Sequence, residues 1–296
     1  MAFPVVQSSQ QASDNDTGTS SITVTAPTGI ETGDLLLLFV GYYETGTSRT
    51  ITTPTGFATL HKKEGFEGAA CYYKTAVLAD ESASDYTVSF SGTVDHKAVS
   101  IHRISGAAGS PVIADSEIDL EADNTGTDTV PVYTTAITPF TDESLVVFFL
   151  HGADNSISTP TTISGYATTP SATFTEIADT GTRDGLSNGN SIGVAAANYT
   201  GTTTITSRTA TFSAEMSRDN NSILLVINGQ QDATANVGRL DAAPELLGIS
   251  GSNTATADIS RIEAESTLRG LSCADSSDRT QWINESDAFT TWTNET

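Results

Sequence analysis

Gly33-Asp34-Leu35-Leu36-Leu37-Leu38-Phe39-Val40 returns later in the chain as Glu143-Ser144-Leu145-Val146-Val147-Phe148-Phe149-Leu150. Each version opens on polar or turn-forming residues and then runs apolar without alternation. A short run of this kind, bounded by turn signals, reads as a central strand buried on both faces. Leu35 answers to Leu145, and Phe39 to Phe149. Outward from this core the correspondence continues. Thr55-Gly56-Phe57-Ala58-Thr59 returns as Ser164-Gly165-Tyr166-Ala167-Thr168. Thr87-Val88-Ser89-Phe90-Ser91 returns as Thr209-Ala210-Thr211-Phe212-Ser213, and Ile104-Ser105-Gly106 as Ile227-Asn228-Gly229. The blocks recur in one order. Their spacing steps up once, which predicts an insertion of about a dozen residues within Ala172 to Asn190.

A sheet with an apolar face must cover it with something. Two related sets of strands can supply the two sheets of a sandwich. The fold expected is therefore all-β: a jelly-roll-like antiparallel β-sandwich built from two sequence-related halves, about 21–106 and 107–229. The competing arrangement is two small domains in tandem. One continuous sandwich is preferred, because the connection Ala107 to Thr127 holds strand-like pieces around Val112-Ile113-Ala114 and Ile118-Asp119-Leu120. Ser21-Ile22-Thr23-Val24-Thr25 alternates as a strand should, and Ala26-Pro27-Thr28-Gly29 ends it. Further strands fit Ala70 to Ala76, Tyr86 to Ser91 and Ala98 to Ile104, each bounded by Gly, Pro, Asp or Ser.

Two segments fall outside the repeat. Residues 1–20 are rich in Gln, Ser, Asp and Thr and read as an N-terminal arm that orders only against a partner. Residues 230–296 read as an irregular C-terminal extension. Ile259, Ile262 and Leu268 there fit a short helix or a strand equally. The extension holds both tryptophans, Trp282 and Trp292. Large amphipathic rings serve well as anchors, so these two are candidate partner contacts. The alternative is that they fold back on the sandwich.

The 296 residues carry a formal charge of −23, from 36 acidic and 13 basic side chains. Such a field repels phosphate backbones and anionic lipid surfaces, so neither nucleic acid nor membrane is an expected partner. No apolar run is long enough to cross a bilayer as a helix. The start Met1-Ala2-Phe3-Pro4 has neither a charged n-region nor an apolar h-region, which predicts synthesis in a cytoplasm. Cys71 and Cys273 match no metal or redox spacing and are expected as free thiols.

Chemistry-bearing patterns are sparse. His61, His96, His102 and His151 show no metal-type spacing. His102 alternates with the isoleucines of Ser100-Ile101-His102-Arg103-Ile104 and reads as a surface histidine; His151 closes an apolar strand and reads as structural. Carboxylates are so numerous that any pair could be imagined as a glycosidase dyad. No Gly-x-Ser-x-Gly elbow or phosphate-cradling loop is present. Glu121-Ala122-Asp123-Asn124-Thr125-Gly126-Thr127-Asp128 could offer oxygen ligands to calcium, but it lacks EF-hand spacing and reads first as a solvated turn. No catalytic residue, metal or cofactor is expected.

Gly33-Asp34-Leu35-Leu36, Pro54-Thr55-Gly56-Phe57, Tyr73-Lys74-Thr75-Ala76 and Tyr86-Thr87-Val88-Ser89-Phe90-Ser91 together resemble a family of β-sandwich modules of tailed-phage virion proteins, such as capsid decoration and tail-fibre proteins, also found in some bacterial surface proteins. The second half is a weaker version. It keeps Ser164-Gly165-Tyr166 but has Ala196 where Lys74 would fall. The resemblance covers about residues 20–229, and its motifs are architectural, so it implies a fold more firmly than a role. It implies a structural component of a phage virion, a decoration, cement or fibre-type protein that touches other virion proteins and forms a homo-oligomer. The alternative is a carbohydrate-binding tail or surface module, with Tyr42, Tyr43 or Tyr166 stacked on the sugar rings of a host glycan. A hydrolase ranks last.

Overall fold

The computed structural model describes residues 3–15, 18–107, 132–139, 143–154, 161–183, 189–213, 220–229, 279–282 and 292–295. The chain divides into two compact units, Met1–Gln230 and Gln231–Thr296. The described elements are antiparallel strands, with one 3-10 turn at Leu78–Ser82.

The first half holds eight strands: β1 (Val5–Asp14), β2 (Ser21–Thr25), β3 (Leu35–Tyr43), β4 (Ile51–Thr52), β5 (Ala58–Lys63), β6 (Glu67–Thr75), β7 (Asp85–Phe90) and β8 (His96–Ser105). They form a long sheet ordered β1-β8-β3-β6-β5 and a short one ordered β2-β7-β4. The second half holds β9 (Val132–Ile137), β10 (Glu143–Asp154), β11 (Ile163–Thr169), β12 (Thr175–Arg183), β13 (Gly189–Thr200), β14 (Ile205–Phe212) and β15 (Asn220–Asn228). Its sheets run β12-β13-β10-β15 and β11-β14-β9. Strand for strand, β2 to β8 and β9 to β15 occupy matching places. Leu35 pairs with Ile104 as Leu145 pairs with Ile227. Even a β-bulge repeats, between Thr59 and His61 in β5 and between Glu176 and Ala178 in β12.

Three apolar layers result. Leu36, Leu38, Val40 and Tyr42 of β3 face the first half's short sheet, with Val24, Val88 and Phe90. Val146, Phe148 and Leu150 of β10 face the second half's short sheet, with Ile205 and Phe212. The odd-numbered residues Leu35, Leu37 and Phe39 meet Leu145, Val147 and Phe149 in a third layer between the two long sheets. Side chains alternate across a strand, so a strand covered on both sides must be apolar throughout. The expectation that each half contributes one sheet of a single sandwich is thereby corrected. Each half builds both sheets of its own, and the long sheets then cover each other.

Two further corrections follow. Residues 5–14 are not an arm awaiting a partner. They form β1, paired to β8 from Val5↔Ser105 to Asp14↔Lys97. Gln and Ser suit such a place because an edge strand stays half exposed. The far end of β1 is fixed where the buried Lys97 ammonium donates to the Val94 carbonyl at 2.7 Å and lies 3.3 Å from Asp14. The predicted insertion also spreads more widely than one loop. It lengthens the path from Gly165 to the bulge at Glu176 and extends β12 and β13 to 9 and 12 residues, against 6 and 9 in β5 and β6.

Within Gln231–Thr296, strands β16 (Arg279–Trp282) and β17 (Trp292–Glu295) pair antiparallel, with Trp282 opposite Trp292 in the register. The strand-like pieces at 112–114 and 118–120, the acidic cluster 121–128, Ile259, Ile262, Leu268 and Cys273 lie outside the described residues.

Candidate functional site

The motif residues of the first half converge on one carboxylate. Gly56 adopts φ 81°, a left-handed conformation that glycine enters without strain, and the turn closes with the Phe57 amide on the Pro54 carbonyl at 3.0 Å. A Cβ on Gly56 would lie 3.1 Å from Lys74 Nζ, so the glycine also leaves room for that side chain. Lys74 Nζ donates to Asp80 Oδ1 at 2.6 Å and sits 5.9 Å from the centre of the Phe57 ring. Tyr86 donates its hydroxyl to the same oxygen at 3.1 Å, and the Val77 amide donates to Asp80 Oδ2 at 2.9 Å. The Phe57 and Tyr86 rings meet edge to face, 5.5 Å apart. Burial raises the Asp80 carboxyl, but its bonds to Lys74, Val77 and Tyr86 outweigh this and hold it below the usual range. The sequence reading missed Asp80, which is carried by the 3-10 turn between two strands. The network is closed: Asp80 is buried and its bonds are internal.

The second half is built differently at the same place. Cross-strand register sets Ala197 opposite Val146 as Lys74 is set opposite Leu36, so the residue matching Lys74 is Ala197, not Ala196. Here Arg208 supplies the cation, fully buried, with Nε donating to Ser222 Oγ at 2.6 Å and its guanidinium 6.0 Å from the Phe148 ring centre.

Three of the four histidines are buried packing residues, and His61 is partly exposed. His102 is not on the surface as expected. It is buried in the layer between the long sheets, because strand β8 is covered on both faces. Its Nδ1 lies 2.8 Å from Ser9 Oγ and its Nε2 3.1 Å from Ser100 Oγ, and burial pushes its pKa down to about 3. His151 is buried with Nδ1 2.9 Å from Asn221 Nδ2. His96 stacks on Tyr43. Among the described residues, no group of three or more His, Cys, Asp or Glu is placed to hold a metal ion.

The aromatic residues considered as sugar platforms are also committed elsewhere. Tyr42 and Tyr43 are buried, and Tyr42 donates to the Arg49 carbonyl at 2.7 Å; burial, helped by Glu64 and Glu67, pushes its pKa up to about 12. Tyr166 packs edge to face on Phe148, 5.3 Å between centres. Trp282 and Trp292 come to opposing positions of one strand pair.

A polar cleft of about 490 Å³ lies between β1 and β12, lined by Ser9, Gln10, Gln11, Glu176 and Asp179 among others. The two strands edge different sheets and are joined by side-chain amides. Gln11 donates to the Asp179 carbonyl at 3.3 Å and accepts from the Asp179 amide at 3.1 Å; Asn15 donates to the Arg183 carbonyl at 3.1 Å. The Asp179 carboxylate accepts the Ile163 amide at 3.3 Å. Burial, aided by the nearby Glu176 charge, moves its pKa up to about 6. Amides and carboxylates of this kind can hydrogen-bond hydroxyl or amide groups.

No family model, no curated protein and no solved structure matches this chain. Among the described residues, no helix is long and apolar enough to cross a membrane.

Proposed function

We propose that this chain is a structural component of a bacteriophage particle, a capsid decoration, cement or fibre-type protein acting through protein–protein contacts. The observation that carries this reading is the fate of the motif residues: Gly56, Phe57, Lys74 and Tyr86 close around Asp80 as internal packing. Motif residues that meet one another in a closed internal network make a scaffold. The matching strand orders of the halves support reading them as duplicated jelly-roll-like modules. The −23 charge suits a component that must stay soluble at high local concentration. Other virion proteins and further copies of the chain are the partners this reading implies, and Trp282 and Trp292 are its proposed anchors.

The test is quantitative mass spectrometry of purified particles, with immunogold labelling by antibodies raised against the recombinant chain. High copy number on the particle is expected. Absence from particles of a phage that expresses the chain overturns the reading.

The β1–β12 cleft favours a second reading, a module that recognises a host glycan, because its amide and carboxylate lining suits sugar hydroxyls. Binding on a glycan array that is lost in Glu176→Gln would support it; a blank array would remove it.

A further inference from the structure

We propose that the exposed apolar turn Val77-Leu78-Ala79 is a docking surface for another protein of the particle, one that offers an apolar socket with a basic rim. This rests on the reading of the chain as a particle component and says where on its surface that contact is made.

Exposure is the first observation. Val77 is 51% exposed and Leu78 74%, the largest value for a large hydrophobic residue among the described ones. Ala79 is exposed as well. Three apolar residues in succession in water gain nothing from folding, and such a run on a surface marks a contact.

Rigidity is the second. Where the turn leaves β6, the Ala76 amide donates to the Asp34 carbonyl at 2.7 Å and the Gly33 amide to the Ala76 carbonyl at 2.9 Å. Within it, the Asp80 carboxylate accepts the Val77 amide at 2.9 Å, and the Asp80 amide donates to the Val77 carbonyl at 2.8 Å. Glu81 Oε1 accepts the Thr32 amide at 3.0 Å and the Thr32 hydroxyl at 2.7 Å. Leu78 is therefore held outward on a braced turn, which spares a partner the entropy of ordering a loop.

The contrast between halves is the third. Lys74 answers to Ala197, so Thr200, Gly201 and Thr202 stand where Val77, Leu78 and Ala79 stand. There the chain passes from β13 to β14 through Gly201 to Thr204, with no 3-10 turn and no large apolar side chain. The second half forms its long and short sheets all the same. The fold does not need an exposed leucine at this place. The network around Asp80 thus has an outward product, the turn that displays Leu78.

Charge selects the occupant. Glu81 is exposed, and the Glu31 side chain, next to Thr32, is 78% exposed. The cations nearby are committed: Lys74 to Asp80, and Arg103 to Asp34 with a second nitrogen 3.5 Å from Glu31. Among the described residues no cation pairs with Glu81. A second copy would bring the same acids to a two-fold contact and be repelled, whereas lysine or arginine around the socket would be attracted.

The test places the photo-crosslinker p-benzoylphenylalanine at position 78 of the full chain, in particles of a phage that expresses it, with the same group at position 202 as the control. Irradiation should join position 78 to another virion protein, at a peptide that carries lysine or arginine, and position 202 should give little product. Particles that hold the chain but yield no product from position 78, or as much from position 202, overturn this inference and leave the parent reading standing. Absence of the chain from particles overturns both. A product with a second copy, or with a peptide lacking basic residues, overturns the choice of partner. Leu78→Ser supplies an independent readout, because an exposed position tolerates it without loss of fold. Co-expressed with the parent chain, it should enter particles about tenfold less, as loss of a buried leucine contact requires. Equal entry of the two chains overturns the proposal.

Discussion

The rings of Phe39 and Phe149 stack face to face, 4.9 Å between centres and within 9° of parallel, at matching positions of the two halves. Each side chain leaves a central strand toward the other long sheet, so the contact joins the halves at the middle of their shared layer. Phe149→Ala should destabilise the unit Met1–Gln230 by about 3–5 kcal/mol, as buried aromatic truncations do. A double-mutant cycle with Phe39→Ala should leave a coupling of about 0.5–1.5 kcal/mol beyond area loss. Denaturant melts of the four proteins measure both quantities. Additive losses would mean that the rings are neighbours without being partners.

His102 should make the fold acid-sensitive. Its pKa falls from 6.5 to about 3 on folding, so the folded state holds the neutral ring. The unfolded chain takes up the proton first as pH drops. Stability is fully present above 6.5 and is lost progressively between 6.5 and about 3. Thermal melts of His102→Gln across this window should show a shallower decline than the parent. Parallel curves would separate the acid response from this ring.

Asp179 should act in the opposite sense. Its pKa rises from 3.8 to about 6, so its contribution is greatest below 3.8 and is lost as pH climbs to about 6. Asp179→Asn keeps an acceptor for the Ile163 amide and removes the charge beside Glu176. After allowance for solvent screening, the variant should gain roughly 1 kcal/mol at pH 8, and the advantage should vanish near pH 3.5. Melting temperatures at the two pH values decide it.

Lys74→Met should cost about 2 kcal/mol at neutral pH, because it leaves the buried Asp80 carboxylate without its cation. The Asp80 pKa is lowered by folding, so the stability it carries is present above 3.8 and fades as pH falls below that value. The deficit of the variant should shrink in acid as the carboxyl is neutralised. A constant deficit would assign the loss to packing of the lysine stem on Phe57.

Gly41 lies beneath His151. A Cβ there would stand 2.5 Å from His151 Cδ2 and 2.5 Å from Ile192 Cγ2, both in the layer that joins the halves. Gly41→Ala should therefore destabilise by about 1–3 kcal/mol despite adding a single methyl group. A Cys71→Ala control in the same layer would lose a thiol and create no clash. If urea melts rank the two the other way, the halves are less tightly packed than these distances state.

The all-β character and the identity of the central strands were legible in residue order. Leu35 to Val40 and Leu145 to Leu150 declare central strands because their lack of alternation has one physical meaning, cover on both faces. The turn at Gly56-Phe57 was legible through glycine and an aromatic in fixed sequence. Which surface supplies each cover was not, since a leucine carries no record of its neighbour. The folded chain set even-numbered residues of β3 against its own half and odd-numbered ones against the other. It buried His102, drew residues 5–14 into a sheet, and brought Asp80 under Lys74, a meeting set by one 3-10 turn. Local composition fixes what a segment can hide; distant packing fixes where it is hidden, because burial depends on residues that lie a hundred or so positions away along the chain, as a sandwich rich in non-local pairings requires.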